Sequence, residues 1–165
     1  MFPIEKEKRV VVGIGSALVD ILVHETEDFI HKAGAVKGGM AYVDNRMIDE
    51  TIRMASQSPF FVPGGSACNT VIGVGKLGGF ARFVGKSGNG NLAGLFESDL
   101  KSNNVEPWLF KSTSLTGRVL SIITPDAQRS MLTYLGASAE SQPGDITPEC
   151  FAGAAVVHVE GYLLF

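Results

Sequence analysis

Cysteine is scarce in this chain: Cys68 and Cys150 are the only two, they lie far apart, and they form no CxxC pair. That spacing excludes a disulfide framework and a thiolate metal knuckle, and it points to reduced, buried thiols of a cytoplasmic protein. The three histidines, His24, His31 and His158, have no metal-ligand spacing among themselves and read as ordinary structural residues. Charge of one sign is also missing. A net charge of -3, with the basic residues scattered, leaves no electrostatic footprint for nucleic acid or an anionic membrane. No apolar run approaches the roughly 20 residues of a membrane span. Val10 to Leu22, following Lys6, Lys8 and Arg9, has the outline of a signal peptide. Asp20 interrupts it and no small-x-small cleavage site follows, so no leader is expected. Repeats and low-complexity linkers are absent as well.

What the chain does have is an ordinary globular balance, 45% hydrophobic and 19% charged over 165 residues, enough for one domain with a sizeable core. Apolar strands alternate with amphipathic helices. Arg9 to Gly15 is a β-branched run of the kind buried on both faces of a parallel sheet. A helix is expected from Asp44-Asn45, with Ile48, Thr51, Ile52 and Ala55 at helical spacing, and another from Ser66 with Ala67, Val71, Val74 and Gly78 on one stripe. Gly73 and Gly75 are expected to thin that second helix for close packing. Phe80 to Val84 reads as a buried strand, and Leu92 to Leu100 as a helix ending at Asn103-Asn104. Thr116 to Thr124 and Arg129 to Leu135 flank the turn Pro125-Asp126-Ala127-Gln128 as a hairpin. With Val36 to Asp44 they predict a small accessory sheet beside an α/β core. Thr147-Pro148 opens a short helix and Ala155 to Val159 is the last strand. The apolar stretch from Val156 to Phe165 would need a further layer over it, so the chain is expected to be the first part of a longer one.

Two glycine motifs fail on inspection. Gly13-Ile14-Gly15 lacks the third glycine of a dinucleotide fingerprint, because Leu18 stands there. Gly85-Lys86-Ser87 lacks the first glycine of a P-loop, because residue 80 is Phe, and reads as a strand-to-helix turn. The run Pro63-Gly64-Gly65-Ser66-Ala67-Cys68-Asn69 is more telling. It joins a short strand, Pro59 to Val62, to a helix for which Ser66 is a good N-cap. Its glycines let a ligand approach the backbone, and free N–H groups and the Asn69 amide would meet it. Asp20, a charge in an apolar stretch just past the first strand, lies where open α/β sheets bind ligands. A buried carboxylate needs a partner, and two vicinal hydroxyls, a cap or a salt bridge would each serve.

These segments resemble the N-terminal half of a ribokinase-like (PfkB) carbohydrate or nucleoside kinase. The resemblance rests on Gly15-Ser16-Ala17-Leu18-Val19-Asp20, Gly64-Gly65-Ser66-Ala67-Cys68-Asn69, and Gly85-Lys86-Ser87-Gly88-Asn89 with Gly94. Leu132-Thr133-Tyr134-Leu135-Gly136-Ala137 and Glu160-Gly161-Tyr162 extend it, and the overall pattern is similar to the adenosine-kinase-like branch. It implies an α/β three-layer sandwich with a mostly parallel sheet and a small β-sheet lid, here incomplete. Residues 1–165 would be the N-terminal part of one kinase domain, with lid segments at about 19–44 and 116–135. The implied activity is transfer of the ATP γ-phosphoryl, with Mg²⁺, to a hydroxymethyl group. By resemblance Asp20, Gly64, Gly65 and Asn69 bind a small-molecule sugar or nucleoside, Met40 and Tyr42 are candidate lid contacts, and a homodimer through the lid is an option. The family's Gly-Ala-Gly-Asp segment, with the catalytic aspartate, and its Mg²⁺-organising acidic motif have no counterpart here. The alternative is a non-catalytic sugar- or nucleoside-binding protein on the same scaffold.

Overall fold

The computed structural model describes residues 9–164; Lys6, Lys8 and Phe165, named above, lie outside them. Two sheets organise the chain. The first is parallel throughout and has four strands in the order β6-β5-β1-β9. These are β1 (Val10–Ile14), β5 (Phe80–Asn89), β6 (Val105–Leu115) and β9 (Ala154–Val159). The second has five strands in the order β3-β8-β7-β2-β4, with mixed pairing. They are β2 (Leu18–His24), β3 (Met40–Tyr42), β4 (Phe60–Gly64), β7 (Gly117–Ile123) and β8 (Arg129–Tyr134).

Helices α3 (Ser66–Lys76) and α4 (Asn91–Ser102) cover one face of the parallel sheet, with Ala67, Cys68, Val71, Phe83, Phe96 and Leu100 in a shared core. Phe83 and Phe96 meet edge to face, centroids 5.3 Å apart. Short 3-10 turns carrying Ile146, Cys150 and Phe151 pack on the other face. Helices α1 (Glu27–Lys32) and α2 (Asn45–Met54) cover one face of the second sheet, burying Ile21, Val23, Leu120, Ile122 and Leu132 with Phe29, Ile30 and Ile48. Asp44 starts α2 by accepting the Met47 N–H at 2.8 Å. No helix among the described residues is long and apolar enough to cross a membrane.

Several sequence expectations change. Gly85-Lys86-Ser87 is no turn: β5 runs on through it to Asn89, paired with β6. β6 itself has no counterpart in the sequence reading, because Pro107 argues against a central strand; β6 lies at the sheet edge, where proline is tolerated. Val36 to Asp44 supplies only the three residues of β3. The strand before the double glycine, β4, belongs to the second sheet. Asp20 lies not in a loop after β1 but inside β2. In α3, Gly75 does permit close packing, since a Cβ there would lie 2.0 Å from the Asn103 carbonyl oxygen, whereas Gly73 has nothing nearby. Gly78 falls outside that helix, whose buried residues are Ala67, Cys68, Val71, Ile72 and Gly75.

Candidate active site

The carboxyl ends of β1 and β9, the start of β2, and the turn from β4 into α3 converge at one corner. Open α/β sheets bind ligands at such carboxyl-end crevices. In β2, Asp20 pairs across to Val62 of β4 and Val119 of β7. Its half-buried carboxylate lies against the β4 backbone: a Cβ on Gly64 would be 2.6 Å from the carboxyl carbon. Gly64 is therefore required by close approach. Gly65 is required by conformation, with φ at 96°, and by space, since a Cβ would sit 2.6 Å from the Ser16 carbonyl oxygen.

Gly65, not Ser66, caps α3, and no side chain of the cap residue bonds the first turn. The capping group comes from far along the chain. Glu160, directly after β9 and only 3% exposed, accepts the Ser16 N–H at 2.7 Å, the Ser66 hydroxyl at 2.9 Å and the Ala67 N–H at 3.3 Å. A carboxylate at a helix N-terminus also meets the positive end of the macrodipole. Part of what the sequence offered to a ligand as free backbone N–H is thus already taken. Glu160 stood in the motif Glu160-Gly161-Tyr162, but nothing local to it signals a partner at Ser16 or Ala67. Asn69 occupies the first turn of α3 with an exposed side chain, its own N–H donating to the Gly65 carbonyl at 2.9 Å.

Asp20, Gly64, Gly65 and Asn69 are thereby brought together. Met40 and Tyr42 are not beside them: Tyr42 shares the cross-strand row of Asp20 through Val119 and Thr133, three strands away, or ~14 Å. Both are exposed, on the face that α1 and α2 leave open, rather than packed inside the sheet.

Burial raises the Asp20 pKa above its ordinary value, and the Arg129 guanidinium offsets this in part. The Cys68 thiol is pushed up to about 12, first by burial and then by the nearby charges of Asp99, Asp20 and Glu160. Such a thiol is protonated and inert. Cys68 is expected to resist iodoacetamide in the folded chain and to be modified once the chain is denatured, as read by intact mass. Among the described residues no group of three or more His, Cys, Asp or Glu is placed to hold a metal ion.

The chain is thus a two-sheet α/β fold with one half-buried carboxylate set against a double-glycine turn. The family model "pfkB family carbohydrate kinase" matches residues 39–165, and the chain belongs to that family. It is similar to the adenosine kinase from Sinorhizobium meliloti, with 32% identity, TM-score 0.85, and coverage of 96% of this chain and 48% of that one. A probable sugar kinase from Rhizobium etli CFN 42 gives 31% identity, TM-score 0.86 and the same coverages of 96% and 48%. The probable fructokinase-3 of Arabidopsis thaliana is 31% identical over 109 residues, 62% of this chain and 32% of that protein. The chain spans about a third of that relative and about half of the two solved structures. These neighbours bear out the ribokinase-like fold.

Proposed function

We propose that this chain supplies the sugar-binding part of a kinase that transfers the γ-phosphoryl of ATP to the hydroxymethyl oxygen of a sugar or nucleoside. The observation that carries the reading is the half-buried Asp20 carboxylate lying against the Gly64 backbone, with no hydrogen-bond partner among the described residues. Two vicinal hydroxyls donating to it would replace the water it has lost. Gly64 and Gly65 let the turn pack against the Asp20 carboxylate and the Ser16 carbonyl, which would hold the carboxylate beside the sugar, and the Asn69 amide stands ready on the first turn of α3. Met40 and Tyr42 would contact a substrate from the far strand of the second sheet, which would act as the lid.

ATP and Mg²⁺ enter through the family, and their ligands, with the catalytic aspartate, are expected outside these residues. ATP supplies the transferred phosphoryl group. The work of this chain is to fix the acceptor in position, which is the larger part of protein-assisted phosphoryl transfer. The free, buried Cys68 and Cys150 support action in the reducing cytoplasm.

The test is an ADP-release assay on the full polypeptide that contains this chain, with Mg·ATP and a panel of sugars and nucleosides. Substrate-dependent ADP release that Asp20→Ala abolishes is the expected result. Tight binding of a sugar with no ADP release for any substrate would make the protein a binding module.

A further inference from the structure

We infer that Asn89 is a site of spontaneous covalent modification: its side-chain amide is lost through attack by the Gly90 nitrogen, and the fold accommodates the acid that results.

Asn89-Gly90 is the only Asn-Gly pair in the sequence. Ring closure on an asparagine requires the next residue's backbone nitrogen to reach the side-chain carbonyl carbon. A following glycine has no Cβ to block that approach and leaves the backbone free to rotate into it. The fold leaves this pair able to react. Both residues are exposed, where β5 ends and α4 has yet to begin. Gly90, the cap residue of α4 at φ 86°, lies in neither the strand nor the body of the helix. The pairing of β5 with β6 is already irregular between Ser87 and Asn89. The Asn89 side chain is held by one hydrogen bond, Nδ2 donating to the Thr113 carbonyl at 2.6 Å.

The step needs no reactant other than water. The Gly90 nitrogen bonds to the Asn89 Cγ, the bond from Cγ to Nδ2 breaks, and ammonia leaves with the proton that the Gly90 nitrogen gives up. Water then opens the five-membered imide. Opening at Cγ gives aspartate. Opening at the backbone carbonyl carbon gives isoaspartate, whose main chain runs through the side chain. No oxidation or reduction takes place.

The surroundings of the product supply a second, independent observation. No acid stands in the first turn of α4, and Gly90 has no side chain to cap it. A carboxylate at Asn89 would therefore meet the positive end of a helix that nothing in its own first turn neutralises. Asn89 also lines a cleft with Asn45, Asn91 and Arg118. The terminal nitrogens of Arg118 hold Asp49 and Asn45, while its Nε is buried without a partner. The charge gained offsets the bond lost to Thr113, since the two effects are of similar size.

The test is to incubate the full polypeptide that contains this chain, folded, in warm and mildly alkaline oxygen-18 water. Mass spectrometry of the tryptic peptide from Ser87 to Lys101 then reads the product. The expected result is replacement of NH by O at Asn89, with one oxygen-18 atom per product and two chromatographic isomers. It should precede any change at Asn91 in the same peptide, or at Asn45 and Asn69. Asn89→Gln should remove the mass gain. Asn89→Asp should melt within ~4 °C of the parent. Reaction at Asn89 only in the denatured chain, or reaction of Asn91 first, would overturn the proposal. A larger fall in the Tm of Asn89→Asp would overturn the accommodation of the acid.

Discussion

Asp20→Asn is expected to weaken substrate binding at least ~10-fold while leaving the free chain as stable as the parent or more so. A hydrogen bond to a charged group contributes roughly 1.5–3 kcal/mol, or ~10- to 150-fold in affinity per bond lost. Stability moves the other way because of the direction of the pKa shift. Burial holds the Asp20 carboxyl above its ordinary 3.8, with Arg129 opposing only in part. For an acid whose folded-state pKa is raised, the favourable contribution is fully present below the unfolded value and is lost as pH rises through the folded one. At pH 7 the ionised Asp20 therefore works against the fold, and the asparagine does not. Melting curves should show the variant at or above the parent at pH 7, with the gap closing as the pH falls toward and below 3.8. Affinity of the parent should fall over the same acid range as the carboxylate is protonated. A variant that melts well below the parent at pH 7 would mean that Asp20 has a structural partner, and equal affinity would remove it from the site.

Glu160→Ala should do the opposite, damaging the fold first. Its carboxylate joins three donors, from Ser16, Ser66 and Ala67, and so ties the β1–β2 turn, the start of α3 and the end of β9 together. Orphaning a buried donor costs roughly 1–3 kcal/mol, and the helix loses a favourable charge at its N-terminus as well. A total of about 3 kcal/mol lowers Tm by ~6–12 °C in a chain of this size. Glu160→Gln, which keeps one acceptor oxygen, should fall between. Because Ser66 and Gly65 set the position of the double-glycine turn, substrate affinity should drop in both variants. A Tm within ~2 °C of the parent would show that water replaces the carboxylate at little cost.

The contrast between these residues shows what the sequence makes legible. The core strands and α2 were readable because burial writes itself into local patterns: a β-branched run at Val10–Ile14, Asp44 before a helical stripe. The double glycine was readable because close approach and a positive φ both demand that residue. Glu160 was not, since its partners lie 93 to 144 positions away and no local pattern encodes them. β6 hid behind Pro107, and the glycines of β5 imitated a turn because pairing with a long neighbour, not propensity, holds that segment extended. The open face joining Asp20 to Thr133 and Tyr42 depends on strand register across four strands, which single-strand patterns leave undetermined.

A crystal structure of this chain with adenosine, compared with one holding D-ribose, tests the central claim most directly. The account predicts density for the sugar at the Gly64–Gly65 turn, with two adjacent hydroxyls within hydrogen-bond distance of the Asp20 carboxylate. A sugar bound elsewhere, or Asp20 turned away from it, would contradict the account.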